Sequence, residues 1–248
     1  MSPDRTWAVA HRVLRQLRRD PRSIVMILGA PVLLLWLLKA TFQEVPGVFE
    51  RVGPMLLGTF PFVMMFLVTS ITMLRERNQG TLDRMMVSPI GRGDIMVGYA
   101  VAFLVLAACQ ATVALTFAVQ VFDMPLRGSV WQALVIVFAL AVFGVALGLA
   151  LSAFAHTEFQ AVQFMPIVVL PQIFLAGMLA PVSRMAQVLE WASTVVPLRY
   201  SFGALNGVMV GGQTLWSADL WRDTLITLLV PCVLLALGAL TMRRSSTA

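Results

Sequence analysis

The sequence predicts an all-α membrane protein, and three observations carry that prediction. Hydrophobic residues fill 59% of its 248 positions and charged ones 12%, with a mean hydropathy of +0.85, whereas soluble domains are roughly 45–50% apolar. Six apolar runs are each long enough to cross a hydrocarbon layer of about 30 Å as a helix, which takes about 20 residues. The short alternating segments of a membrane β-barrel are absent. The expected architecture is a single transmembrane domain over residues 1–248 with six transmembrane helices. An N-terminal amphipathic interfacial helix precedes them, a short cytoplasmic helix joins the second span to the third, and short outer helices precede the last span.

The elements follow in chain order. Residues 5–19 place Trp7, Ala10, Val13, Leu14 and Leu17 on one helical face and Arg12, Arg15 and Arg19 on another, the pattern of a helix lying on a membrane surface; a frayed basic tail is the alternative. The first apolar run begins after some twenty polar residues, with no small-residue cleavage site behind it, so no secretory leader is expected. The spans cover about 24–42, 52–74, 95–122, 130–155, 159–182 and 224–242. Lys39 lies near the end of the first, where its long side chain can snorkel to the interface. The third and fourth runs exceed what a crossing needs, which predicts tilt or interfacial ends. Gly144 and Gly148 in the fourth permit close helix packing.

Charge sets the orientation. Twelve of the eighteen basic residues lie before the first span (Arg5, Arg12, Arg15, Arg18, Arg19, Arg22), between spans two and three (Arg75, Arg77, Arg84, Arg92), or after the last (Arg243, Arg244). The other segments hold six: Lys39, Arg51, Arg127, Arg184, Arg199 and Arg222. Excess basic charge marks the cytoplasmic side, so a multi-pass protein of the cell membrane with both termini cytoplasmic is predicted. The net charge of +6 is then a topology signal, not a nucleic-acid footprint.

Several chemistries are excluded by counting. A P-loop needs Gly-Lys-Ser/Thr, but the only lysine, Lys39, stands between Leu38 and Ala40. His11 and His156 have no carboxylate or thiol cluster near them in sequence, so no bound metal is expected; His156 is expected to cap a short inner loop with Glu158. Gly91-Arg92-Gly93-Asp94 spells the GxGD of intramembrane aspartyl proteases, but no span supplies the second aspartate that must share a proton. Asp94 instead suits a helix N-terminus. The spans carry no deep Asp, Glu, His or Arg, which argues against an ion-coupled carrier. Cys109 and Cys232, inside apolar spans, read as small hydrophobes. The deep polar groups are amides. Of these Gln160, Gln163 and Gln172 sit in the fifth span with Pro166 and Pro171, and are expected to face the bundle interior, along a substrate path.

Residues 75–94, RERNQGTLDRMMVSPIGRGD, carry seven charges in twenty positions. Gly80 breaks the helix leaving span two, and Thr81 is a good N-cap with Asp83 in the first turn. Leu82, Met85 and Met86 then share one face, and Pro89 ends the element. A two-turn amphipathic helix is expected, with an ordinary interfacial turn as the alternative. Beyond the fifth span, over 183–223, Met185, Val188, Leu189, Ala192, Val195 and Val196 recur at helical spacing, too short for a crossing before Pro197.

Two stretches resemble the ABC-2 type permeases, the membrane subunits of one class of ABC transporter. RERNQGTLDRMMVSP is similar to that family's E-x-x-x-G-T-x-E-x-L-x-x-S/T-P region: Glu76, Gly80, Thr81, Ser88 and Pro89 match. Asp83 stands where Glu is commoner, Met85 and Met86 where Leu is, and Asn78 for a frequent acidic residue. The stretch from Leu170 resembles the late region, with Phe174, Gly177, Pro181, Trp191, Pro197 and Tyr200 carrying the match. The chain looks most like the daunorubicin-resistance type of drug-export permease; lipid-linked polysaccharide permeases share the motifs. The resemblance implies that residues 75–94 form a coupling helix seated on a separate ATPase subunit, through Glu76, Gly80, Thr81, Leu82, Asp83, Met85, Met86 and Pro89. It also implies short outer helices closing the exit, with Phe174, Gly177, Pro181, Pro197 and Tyr200 at the outer gate. The chain would bind no cofactor itself, ATP and Mg belonging to the ATPase. Its partners would be that subunit, a second permease subunit (the same chain or a paralogue) and membrane lipids. The expected cargo is an amphipathic or hydrophobic small molecule such as a drug or natural product, with a lipid-linked glycan or lipid as the runner-up. A non-transporting scaffold or sensor is the rival from another class.

The charge asymmetry makes a direct prediction. In a background lacking Cys109 and Cys232, single cysteines at Arg84 and Ser245 should react only with reagent on the cytoplasmic side, and one at Ser183 only from outside. Reaction of Arg84 and Ser183 positions from the same side would refute the six-span arrangement.

Overall fold

The computed structural model describes residues 3–45, 47–79, 92–214 and 217–244. Nine α-helices occur among them: α1 Pro3–Arg18, α2 Pro21–Thr41, α3 Val48–Asn78, α4 Arg92–Thr116, α5 Val130–Ser152, α6 Glu158–Leu175, α7 Gln187–Ser193, α8 Pro197–Met209 and α9 Ala218–Arg244. No strand occurs among the described residues. By length and composition five helical stretches can cross a membrane: Pro21–Thr41, Val48–Asn78, Val97–Val121, Val130–Ser152 and Glu158–Leu175. The 27-residue helix α9 occupies the place of the sixth predicted run.

Local chemistry explains where the helices start and stop. Asp20 caps α2: its carboxylate accepts bonds from the Ser23 hydroxyl at 2.6 Å and the Ser23 amide at 3.2 Å, and these hold its carboxyl below the ordinary value. Pro21 follows at the first helical position, where a missing N–H costs nothing. Gly47 enters α3 at φ 80°, a conformation glycine adopts without a Cβ clash. Thr157 caps α6 by accepting from the Gln160 amide at 3.2 Å, while the Gln160 side-chain oxygen accepts from the His156 amide at 2.9 Å. This is a capping box displaced by one residue, with Thr157 as the helix cap. Prolines 31, 54, 61, 166, 171 and 231 lie inside helices, tolerated where neighbouring helices and side chains re-satisfy the backbone.

Two predicted boundaries move. The long third run ends in a π-helical segment, Phe117–Val121, followed by Asp123 at φ 51°, whose carboxylate takes the Lys39 ammonium at 2.9 Å. The fifth span, expected to reach residue 182, stops at Leu175 because Gly177 turns the chain at φ 91°. The segment from 182 onward forms a 3-10 turn, Val182–Arg184, then α7 and α8.

The core is built on α3 and α5. Phe62 stacks on Phe143 with centroids 5.0 Å apart and planes 11° from parallel. Gly144 lies directly against the Phe62 carbonyl, and a Cβ at Gly148 would stand 2.6 Å from the Phe66 carbonyl oxygen. The GxxxG pair therefore serves packing within the chain. Helix α8 inserts Leu198, Phe202, Leu205 and Val208 into this core, and α9 closes against α5 and α8. Helix α1 packs across the start of α4, where a Cβ on Gly98 would lie 2.6 Å from the Val9 Cβ and 2.9 Å from the Thr6 carbonyl oxygen. Val9, Ala10 and Val13 are its buried residues. Trp7, expected on that face, is 61% exposed: the helix is rolled so that Val9, not the indole, meets Gly98.

Glycine identity should therefore matter at one site and not at another. Gly148→Ala should destabilise by about 1–3 kcal/mol, as overpacking does, and lower the unfolding temperature in detergent. Gly29→Ala, with nothing within 4 Å of the new Cβ, should leave that temperature unchanged or raise it slightly; equal losses for both would refute the packing assignment.

A braced frame at the arginine-rich end

The end of α3 reads Arg75-Glu76-Arg77-Asn78, and every one of these side chains is engaged within the chain. Arg75 makes a bidentate pair with Glu158 at the start of α6, both bonds at 2.7 Å. Arg77 donates to the Ala153 carbonyl at 3.2 Å and to the Ala155 carbonyl, and the Asn78 amide donates to the His156 carbonyl at 3.3 Å. Residues 153–158 are thus tied to α3 along their length. Helical periodicity sends Glu76 the other way. It is 4% exposed, with its carboxylate 3.6 Å from the Arg12 guanidinium.

The returning helix is tied to the same element. Asp94, in the first turn of α4 and buried, accepts from the Thr6 hydroxyl at 3.4 Å. Helix α1 therefore touches both the helix that leaves toward residues 80–91 and the one that comes back from them. Gly98 sets its depth. A neutral segment could not do this work: taking Glu76 out of water costs several kcal/mol unless a counter-charge is held beside it, and Arg12 is that charge.

Gly80, Thr81, Leu82, Asp83, Met85, Met86 and Pro89 lie outside the described residues. Of the expected coupling set the structure places Glu76 alone, and it faces α1 from inside a continuous helix. Its carboxylate is turned to Arg12 at 3.6 Å, and the helix that carries it runs past residue 74, the expected end of the second span, to Asn78.

The glutamines do not converge. Gln160 belongs to the cap of α6, Gln163 is exposed, and Gln172 is half-buried with its amide donating to the Val168 carbonyl at 3.1 Å. Gln163 and Gln172 are nine residues apart, on opposite faces of the helix. The expectation that all three face the bundle interior fails at Gln163; Phe164 is turned inward instead, against Leu74, Ala155 and Ala161. A groove of about 430 Å³ opens elsewhere, between α2, α3 and α6, lined by Leu34, Phe60, Met64, Met165, Phe174 and Leu179 among others. Its wall is apolar, and the Thr59 hydroxyl is turned to the Met55 carbonyl at 2.8 Å.

The residues expected at an outer gate fall into two groups. Phe174 lines the groove and Gly177 makes the turn after α6, while the Pro181 carbonyl accepts from the Arg184 amide at 2.9 Å. Pro197 opens α8, and the Tyr200 hydroxyl donates to the Thr194 carbonyl at 2.7 Å, with Arg222 5.9 Å over its ring. Among the described residues no group of three His, Cys, Asp or Glu could hold a metal.

These features define a multi-pass helical membrane protein with one heavily braced end. The ABC-2 type transporter family model matches residues 4–210, and the chain belongs to that family. It is 32% identical over 182 residues to an Escherichia coli protein described as "Probable multidrug ABC transporter permease YbhR", covering 71% of this chain and 48% of that one. A second Escherichia coli relative, "Probable multidrug ABC transporter permease YbhS", is 24% identical over 150 residues, 59% of this chain and 39% of its own. "ABC transporter G family member 20" of Dictyostelium discoideum is 26% identical over 179 residues, 72% of this chain and 24% of its own. The chain thus spans half or less of the length of these relatives.

Burial separates two charge reversals at this end. Glu76→Arg places a second cation beside Arg12 in a buried site and should cost about 3–5 kcal/mol. Glu158→Arg breaks a pair exposed on both sides and should cost about 1 kcal/mol or less. Unfolding temperatures of the two variants in the same detergent check the order, and a Glu158 variant as damaged as the Glu76 variant would contradict it.

Proposed function

We propose that this chain is the permease subunit of an ATP-driven exporter of the ABC class. A separate ATPase subunit would power it and a second permease subunit would complete the path. The observation that carries this is the frame at the arginine-rich end. Four consecutive side chains of α3, two contacts from α1 and the start of α4 fix the stems on either side of residues 80–91. Force applied to a segment mounted in this way reaches the helices instead of bending the mount. Membership of the ABC-2 family supports the ATPase partner; ATP and Mg would be held there, with this chain supplying Thr81, Leu82, Asp83, Met85 and Met86 as the contact and Gly80 and Pro89 as its limits.

Six crossings, with α9 as the sixth, rest on the six apolar runs, and the basic-residue asymmetry supports placing both termini in the cytoplasm. The cargo is an apolar or amphipathic small molecule, because the groove between α2, α3 and α6 offers hydrophobic wall and no fixed charge. An amide turned to lipid is costly, so the exposure of Gln163 is best relieved by the second permease subunit, across a seam that includes α6.

Met85→Asp tests the coupling role, since it puts a charge where an apolar contact is proposed. Copurification of the ATPase and export by the complex should both fall at least tenfold. Arg127→Ala, on an exposed side chain at the far end, should change neither. If the Met85 variant held its ATPase and exported cargo like the control, the proposed coupling contact of residues 80–91 would be refuted.

A further inference from the structure

The outward face of α1 carries more positive charge than the frame uses. With Val9, Ala10 and Val13 turned toward α4, the opposite side presents His11, Arg12, Arg15, Gln16 and Arg19 around the small side chain of Ala8, enclosing an open groove of about 530 Å³. Arg12 shares its charge with Glu76 at 3.6 Å. Arg15 stands 3.5 Å from a ring nitrogen of His11, which brings no negative charge. The sole acidic residue of the helix is Asp4, in its first turn, and Asp20 beyond its end is engaged by Ser23. The groove is thus a cationic cradle with a small-residue floor.

Its level in the bundle indicates the ligand. Helix α1 crosses α4 at Gly98, one residue into the apolar stretch Val97–Val121, which is the height of the headgroup layer. The exposed Trp7 stands on the same helix, and indoles favour that layer. An anion at this height that meets arginines from the side is a lipid phosphate. We propose that the groove of α1 is a headgroup site for an anionic phospholipid, with Arg15 and Arg19 as its principal ligands and Arg12 joining it to Glu76 at the root of the frame. The proposal rests on the cytoplasmic placement of this end only for which leaflet supplies the lipid.

Native mass spectrometry of the full chain in mild detergent tests this, with equimolar phosphatidylglycerol and phosphatidylcholine offered. The protein should retain phosphatidylglycerol at least about tenfold over phosphatidylcholine. Arg15→Glu/Arg19→Glu should abolish the preference, at about fivefold or more per basic residue lost, and Arg15→Ala/Arg19→Ala should weaken it while guarding against misfolding in the reversal. Arg127→Ala should leave it intact. No preference in the unaltered protein, an undiminished preference in both double variants, or full displacement of the lipid by inorganic phosphate would each overturn the proposal. So would double variants that keep the lipid but lose the ATPase, which would give the groove to the acidic surface of a protein. Lipid retention needs neither ATPase nor transport, so an exporter reading that failed would leave this result standing, and the reverse.

Discussion

Everything in this bundle depends on two glycines letting α5 lie against the backbone of α3. Inside a bilayer helices gain little by leaving lipid for one another, because the tails are as apolar as the side chains. Association must come from dispersion contacts, which fade over a gap of an ångström. Gly144 and Gly148 remove the side chains that would impose that gap, so the carbonyls of Phe62 and Phe66 meet α5 directly. Phe62 and Phe143 can then stack beside the contact, and α8 finds a preformed surface for Phe202 and Leu205.

The braced end is a consequence of that axis. Because α5 is locked to α3 in the spans, the loop that follows α5 emerges beside the last turn of α3, within reach of Arg75, Arg77 and Asn78. Arg77 then satisfies carbonyls of residues 153 and 155 that no helix bonds. Arg75 meets the acidic residue in the first turn of α6, where a carboxylate also suits the helix dipole. Glu76 points to the opposite side, and α1 must come up to it. The buried carboxylate gives α1 a fixed register on the bundle that apolar contacts alone would set only loosely.

Much of this is legible in the sequence, for definite reasons. Uncharged runs report crossings because charge in hydrocarbon is costly, and residues 52–74 or 130–155 leave little freedom about what they are. The start of α8 at Pro197 is visible because proline restricts the backbone, whereas the turn at Gly177 is hidden inside an apolar run that continues past it. Facing directions are less legible. In a helix apolar all round, periodicity does not say which side meets protein and which meets lipid, so Gln163 reads as inward and lies outward. Trp7 misleads similarly: it is apolar enough to belong to the buried face and amphipathic enough to leave it. The partners of Arg12, Arg75 and Arg77 have only one sequence signal, the presence of Glu158 as the lone acid in a short loop between two runs. Nothing local links residue 12 to residue 76.

Burial also ranks the helices by how firmly each is held. The apolar stretches of α3 and α5 are 56% and 61% buried within the chain, those of α2 and α6 only 17% and 11%. At its arginine-rich end α6 is attached through the pair of Arg75 with Glu158, exposed on both sides and so worth about 1 kcal/mol or less. Its other half borders the apolar groove. Moving α6 against α3 would break an exposed ion pair and the packing of the buried Ala161, Val169 and Ile173, whereas moving α5 would pull apart backbones that touch. Helix α3 thus has a stiff neighbour on one side and a lightly held one on the other. The groove lies on the lightly held side, between α2, α3 and α6.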